Sequence, residues 1–203
     1  VSDMQKAAVF DVGRVLYNWN LRHLFEKLIA DPEELDWFLS NVITEGWHFQ
    51  HDRGEALDVM VPARIAEFPQ YEALILAYRS RFNETIPGPV KGTHALVERL
   101  AAKGAPLYCL TNFGEEFWEG FRPSKPIFDR FVDIVVSGTE QVAKPDPRIY
   151  EITEERTGRT GAQLFFTDDS AANVEAARAR GWDAHLFTDA AALEKQLIAS
   201  GLL

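Results

Sequence analysis

Apolar residues along this chain follow two periods. Ala7, Ala8, Val9 and Phe10 form a short unbroken apolar run, the mark of a strand buried on both faces. From about residue 21 to residue 81 the spacing turns helical. Leu21, Leu24, Phe25 and Leu28 fall at i, i+3, i+4 and i+7, so one face is apolar. Asp31–Pro32–Glu33–Glu34 is a helix start with Asp31 as N-cap and Pro32 at the first helical position, and Leu35, Phe38, Leu39 and Val42 carry the helix on. Asp52–Arg53–Gly54 reads as a turn, followed by helices over 56–68 and 71–82. Four or so helices with no convincing strand predict a small bundle, and Pro87–Gly88–Pro89 breaks it. Leu96, Val97 and Leu100 then open a new regime, with Gly104 as a helix stop. Strand-like runs at 107–110, 132–136, 164–167 and 184–187 alternate with helical stretches at 115–121, 147–157, 171–180 and 190–200. This alternation predicts an α/β fold, a doubly wound parallel sheet interrupted after its first strand by the helical block.

Composition narrows the setting. The chain has 203 residues, 46% hydrophobic and 26% charged, enough for one α/β domain with an insertion. A net charge of −10 argues against a nucleic-acid partner, and it means that an anionic substrate must be held by local groups. Cys109 is the single cysteine, so no internal disulfide can form, and its place in an apolar run predicts a buried strand residue. No apolar run reaches the roughly 20 residues needed to cross a bilayer. Val1–Ser2–Asp3–Met4–Gln5–Lys6 lacks the pattern of a secretory signal. These features predict a cytoplasmic protein with no membrane partner, a monomer or a homodimer.

Four segments carry chemistry. The first apolar run delivers Asp11 into a turn that contains Gly13. Thr111 and Asn112 end a second strand-like run, Lys144 precedes Pro145–Asp146–Pro147, and Asp168 and Asp169 follow Phe165–Phe166–Thr167. An acid at the carboxyl end of a parallel strand lies in the crevice where such sheets bind ligands. There a carboxylate can attack phosphorus or an activated carbon and form a covalent intermediate that water hydrolyses. Two adjacent carboxylates raise each other's pKa, and a hard divalent cation relieves that cost. Flanking prolines hold the Lys144 loop stiff, and its ammonium can keep a negative nucleophile and a negative transferring group together. The Thr111 hydroxyl and Asn112 amide can cradle phosphate oxygens.

In order and spacing these segments resemble the four motifs of the haloacid dehalogenase-like (HAD) hydrolase superfamily. The wording is that of a subgroup reading F-D-x-G-x-V at the first motif and K-P-D-P-x-I-Y at the third. The resemblance covers nearly the whole chain. It implies a Rossmann-like core over residues 1–17 and 87–203 with an α-helical cap over 18–86. It implies Asp11 as nucleophile, Thr111 and Lys144 as catalytic partners, and Mg²⁺ held by Asp11, Asp168, Asp169 and the backbone carbonyl of Gly13. Asn173 resembles a position that supports the metal loop.

Gly13 departs from the main family pattern, in which a second Asp protonates the leaving alcohol. General acid–base help is typically worth about 10²–10⁴-fold. Three readings therefore stand: a Mg²⁺-dependent phosphatase of a small phosphorylated metabolite, a 2-haloacid dehalogenase that uses Asp11 without metal, and a non-catalytic ligand-binding module. Halide leaves without a proton, which suits Gly13. The acid pair and the Thr111–Asn112–Phe113 run suit a phosphatase better. In the helical block, Trp47–His48–Phe49–Gln50–His51–Asp52–Arg53–Gly54 stands out. Trp47 and Phe49 are expected to pack the bundle and His48 and His51 to face water, while Arg53 can grip a phosphate or carboxylate. Arg14 and Trp19 are expected to shape the junction between core and cap.

Overall fold

The computed structural model describes residues 5–203, so Val1–Met4, part of the stretch read above as lacking a signal, lies outside the described residues. Five strands form one parallel sheet. They are β1 (Ala7–Phe10), β4 (Leu107–Thr111), β5 (Asp133–Val136), β6 (Leu164–Asp168) and β7 (Asp183–Leu186), in the order β5-β4-β1-β6-β7. Two further short strands, β2 (Tyr17–Asn18) and β3 (Gly88–Pro89), pair antiparallel to each other. The predicted doubly wound Rossmann-like sheet is thus present. From β1 the chain winds outward to β4 and β5, then returns across β1 to β6 and β7. The direction of winding reverses between β1 and β6, and ligands of such sheets bind outside the strand ends at that point.

The central strands β4, β1 and β6 are buried along their length and apolar up to the sheet edge, because both faces are covered. Ala8, Phe10, Leu107, Cys109 and Phe165 enter one core cluster, while Ala7, Val9, Tyr108, Leu110, Leu164 and Phe166 enter the other. The period of two is real but hidden, since neither face is polar. Cys109 is fully buried, as its setting predicts.

Helices α1 (Arg22–Phe25), α2 (Pro32–Asn41), α3 (Glu45–Asp52), α4 (Leu57–Glu67) and α5 (Glu72–Ser80) lie between β2 and β3. The α2 start is as read: Asp31 Oδ1 accepts from the N–H of Glu33 at 2.8 Å and of Glu34 at 3.0 Å. Helix α6 (Thr93–Ala102) follows, then α7 (Glu115–Phe121), α8 (Ser137–Glu140), α9 (Pro147–Thr157), α10 (Ala171–Ala179) and α11 (Ala190–Ala199). Pro147 sits at the first position of α9, behind an Asp146 N-cap. None of the described helices is long and apolar enough to cross a membrane.

The structure changes the reading of two backbone segments. Gly88–Pro89 is not merely a break. It pairs with Tyr17–Asn18, the Asn18 side chain donates to the Pro89 carbonyl at 3.0 Å, and Val90 N–H donates to Leu16 O at 3.0 Å. These bonds fasten the two chain crossings of the helical insertion side by side. Residues 45–52, to which the sequence pattern assigns no element beyond the turn at Asp52–Arg53–Gly54, form helix α3, with the Thr44 hydroxyl accepting from Trp47 N–H at 2.9 Å.

The inner face of α3 consists of Trp47, His48, His51 and Asp52. Its C-terminal end is seated against the core at Gly114, and a second glycine, Gly138, sits tight against the loop after β4. A Cβ on Gly114 would meet the His51 ring at 1.9 Å, and one on Gly138 would meet Glu115 N at 2.4 Å and Phe113 O at 2.8 Å. The Ser137 hydroxyl donates to Asp52 O and accepts from Phe113 N–H, so the α3 end, the loop after β4 and α8 share one hydrogen-bonded corner. Gly138→Ala is expected to lower stability by about 1–3 kcal/mol, because the neighbours of the added methyl are backbone and cannot swing away. Urea denaturation of the variant beside the unsubstituted protein checks this.

Candidate active site

Each of the first four strands of the sheet hands a polar group to one edge. β1 runs straight into Asp11, β4 ends on Thr111 and is followed by Asn112, β5 leads into Ser137, and β6 ends on Asp168. Asp11 and Asp168 therefore flank the point where the winding reverses, and Asp11 N–H donates to Thr167 O at 3.0 Å.

Lys144, only 1% exposed, joins them. Its Nζ lies 2.9 Å from Asp11 Oδ1 and 2.6 Å from Asp168 Oδ2, and it donates to Leu110 O at 2.8 Å. Asp168 also accepts from Asn173 Nδ2 at 3.0 and 3.1 Å and from Ser170 N–H at 2.8 Å, bonds that fix its orientation. Asp11 Oδ1 accepts from Val12 N–H at 2.7 Å. The Asn112 amide bonds the Lys144 backbone in both directions, Nδ2 to Lys144 O at 3.0 Å and Lys144 N–H to Oδ1 at 2.9 Å. That pair fixes the lysine loop, so Asn112 acts on Lys144, where the sequence reading gave it phosphate oxygens.

One ligand oxygen from each of Asp11, Asp168 and Asp169 lies within 4.8 Å of the others. Burial pushes the Asp11 carboxyl up to about 7, with Asp168 adding to the rise and Lys144 opposing it. Burial and the Asp168 charge also raise Asp169. Burial pulls the Lys144 ammonium down, but the Asp11 and Asp168 carboxylates outweigh it and hold the lysine above its ordinary value. Three carboxylates facing one ammonium leave an excess of buried negative charge. An all-oxygen donor set of that charge fits a hard divalent cation.

These groups open on a cavity of about 180 Å³. Asp11, Gly13, Lys144 and Asp169 line its polar end, while Trp19, Phe49, Phe82, Ile86 and Phe113 line its apolar wall. Arg14 spans the junction. It pairs with Glu45 of α3 at 2.5 Å, lies 4.8 Å over the Trp19 ring, and reaches to 3.9 Å from Asp169. Thr111 is fully buried behind this surface, and its hydroxyl has no hydrogen-bond partner among the described residues, the kind of orphan that a phosphate oxygen satisfies. At Gly13 an added Cβ would meet nothing within 4 Å, so no neighbour excludes a side chain there.

Arg53 falls outside this cavity. It is exposed at the C-terminal end of α3 and lines a separate depression with Phe49 and Ala143–Lys144–Pro145–Asp146, while Asp52, one position back on the helix, faces inward. His48 and His51 do not face water. They are 5% and 2% exposed: His48 stacks on Trp19 and Phe82, His51 meets the Phe117 ring edge-on, and burial lowers His48 to about 4. His48 Nδ1 bonds the Tyr78 hydroxyl at 2.7 Å, and its Nε2 lies 3.4 Å from Asp52 Oδ2. Sequence reasoning missed Asp52 and Glu45 as cavity residues. The available signal was the His48/Asp52 spacing of i, i+4, which puts both on one helix face.

Residues 5–181 match the family model described as haloacid dehalogenase-like hydrolase. The chain is 28% identical over 188 residues to a sesquiterpene phosphatase of Aspergillus oryzae, covering 92% of each chain. Among solved structures it is similar to a HAD family enzyme of Bacteroides thetaiotaomicron in complex with magnesium and inorganic phosphate (TM-score 0.66, 20% identity, 92% of this chain and 96% of that one). It is also similar to the L-2-haloacid dehalogenase of Xanthobacter autotrophicus with chloropropionic acid covalently bound (TM-score 0.65, 17% identity, 98% and 85%).

Lys144→Met leaves Asp11 and Asp168 buried without their cation, which is expected to cost about 3–5 kcal/mol at pH 8. The loss should shrink as pH falls, because Asp11, whose folded-state pKa is raised by burial, takes up a proton in the native state before it does so in the unfolded chain. Urea midpoints at pH 8 and pH 5.5, measured in EDTA, test both the size and the sign.

Proposed function

Because the chain belongs to the haloacid dehalogenase-like hydrolase family, we propose that it is a Mg²⁺-dependent phosphatase of a small phosphate ester, working through a phosphorylated Asp11. The observation that carries this reading is the buried cluster in which Asp11, Asp168 and Asp169 outnumber the single ammonium of Lys144. A metal-free displacement of halide has no use for two further carboxylates beside the nucleophile.

Asp11 is the nucleophile: it attacks phosphorus, and the bond to the ester oxygen breaks. Lys144 holds the Asp11 carboxylate toward the transferring group and offsets the charge that gathers there. Thr111, with its unpartnered hydroxyl, receives a phosphate oxygen. Asp11, Asp168, Asp169 and the Gly13 carbonyl would hold Mg²⁺, which supplies positive charge to the phosphoryl oxygens. Residues 1–17 and 87–203 act as the catalytic core and 18–86 as the cap that covers it. The apolar wall of Trp19, Phe49, Phe82 and Ile86 favours an ester whose organic part is largely hydrocarbon. The sesquiterpene phosphatase similarity supports the same substrate character. Gly13 gives weight to one second reading, a 2-haloacid dehalogenase, since halide needs no proton.

The purified protein is expected to hydrolyse p-nitrophenyl phosphate with Mg²⁺, to lose that turnover in EDTA, and to lose at least about 10³-fold of it in Asp11→Asn. Undiminished turnover in Asp11→Asn would defeat the proposal. Chloride release from 2-chloropropionate, insensitive to EDTA, would establish the dehalogenase instead.

A further inference from the structure

If the reaction is phosphate-ester hydrolysis, an alkoxide must leave, and the position beside the nucleophile that would protonate it is Gly13. The cavity wall narrows the choice of substitute. Asp11, Asp168 and Asp169 are grouped about the presumed cation, and Lys144 is bound between two of them. Glu45 is paired with Arg14, and Asn112 and Asn173 are amides. Tyr17 is packed edge-on against the His94 and Phe121 rings at 4.9 and 5.1 Å, and burial raises its phenol above its ordinary value, which makes it a poor acid near pH 7. His48 is neutral and spends its Nδ1 on Tyr78.

Asp52 remains. It lines the same cavity from the insertion side, 6% exposed, and its Oδ1 is buried with no hydrogen-bond partner among the described residues. Its other oxygen lies 3.4 Å from His48 Nε2. The backbone carries it firmly: the Ser137 hydroxyl binds its carbonyl, and the neighbouring His51 ring packs on Gly114 too closely to admit a Cβ. We propose that Asp52 is the general acid and base of this enzyme, supplying from the cap the proton that Gly13 cannot.

In the first step Asp11 Oδ bonds to phosphorus, the P–O bond to the alcohol breaks, and the proton on Asp52 passes to the departing oxygen. In the second, water attacks phosphorus and gives a proton to the Asp52 carboxylate, the P–O bond to Asp11 breaks, and both acids return to their starting state. The titratable groups around Asp52 suit this cycle. His48 and His51 on its own helix are kept neutral by burial, Tyr78 faces it from α5, and Lys144 is engaged by the other acids. No immediate cation holds it ionised. Burial pushes its carboxyl up to about 7 against the pull of His51, the Gly114 N–H and Lys144, so it can both give and take a proton near neutrality.

The test compares two esters of similar bulk with Mg²⁺ present. Benzyl phosphate needs its leaving oxygen protonated, whereas p-nitrophenyl phosphate hardly does. Asp52→Asn is expected to lower the ratio of kcat/KM for benzyl to that for p-nitrophenyl phosphate by about 100-fold, and adding Gly13→Asp is expected to restore the ratio. A purely structural role for Asp52 would lower both esters together. A ratio that moves by less than about threefold overturns the inference. If Asp52→Asn does not fold, Gly13→Asp alone decides. With Asp52 already supplying the proton, it should raise the ratio by no more than about threefold, and a rise of about 100-fold would mean that no acid was there before. The outcomes also separate the two proposals. Mg²⁺-dependent p-nitrophenyl phosphate turnover with an unmoved ratio rejects Asp52 alone, and no turnover of either ester rejects the phosphatase reading and this inference with it.

Discussion

The site depends on one interaction: a fully buried ammonium, Lys144, held between Asp11 and Asp168 at 2.9 and 2.6 Å. Burying any of these charges alone would be prohibitive, and the pair geometry repays the desolvation only because further polar groups satisfy what is left. Asn173 and the Ser170 N–H do so for Asp168, the Val12 N–H for Asp11, and the Leu110 carbonyl for Lys144. Much else in the fold is arranged to hold this geometry. β1 and β6 must be adjacent to bring the two acids together, and β4 must lie beside β1 to supply both the Leu110 carbonyl and the Asn112 amide that pins the lysine loop. The order of the strands and the chemistry of the edge are one constraint.

That economy explains why the core was legible in the sequence. A strand buried on both faces must be apolar along its length, so the run Ala7–Phe10 and its counterparts stand out. Each ends where a polar residue first becomes tolerable, at the sheet edge where ligands bind. Asp11, Thr111 and Asp168 therefore stand out as punctuation, while Lys144, in the loop between α8 and α9, stands out by its flanking prolines. The helical insertion was less legible for a physical reason. The inner face of α3 is Trp47, His48, His51 and Asp52, and a reading that sorts residues into apolar-inside and polar-outside sends three of these four to solvent. They are buried because each polar atom bar a few has a partner reached only in three dimensions: Tyr78 for His48, the Glu55 carbonyl for His51, Ser137 for the Asp52 backbone. Gly88–Pro89 was hidden differently. A two-residue strand has no period, and its pairing partner lies some 70 residues away.

The same helix shows how specificity and catalysis can be divided between two parts of a chain. The core edge supplies the charged cluster, which suits any phosphoryl group. The insertion supplies the apolar wall and the Arg14–Glu45 bridge, and the β2–β3 pair fixes the two points at which the chain enters and leaves it. Gly114 lets the His51 ring of α3 come so close to the core that a Cβ there would clash, and Asp52, one position on, lines the cavity from the insertion side. An acid on that side does not depend on the residue that follows the first strand. Space at residue 13 is open, so steric need does not account for glycine there.

Electrostatics weighs the two hydrolytic readings against each other. The chain carries a net charge of −10, so its overall field opposes any anionic substrate. At the site, Lys144 is consumed by two carboxylates, and Arg14 is paired with Glu45 and reaches only to 3.9 Å from Asp169. Arg53, a third cation near enough to consider, lines a different depression. A haloacid approaching without metal would bring its carboxylate toward Asp11, Asp168 and Asp169 with no uncommitted cation on the cavity wall to receive it. A phosphate ester would meet the same obstacle, but a divalent cation held by those three acids would turn the obstacle into a receptor. Metal and substrate would then share one ion-pair network, each lowering the cost of the other. The excess of carboxylates that opposes an anion on its own is the feature that would let a cation recruit a phosphoryl group.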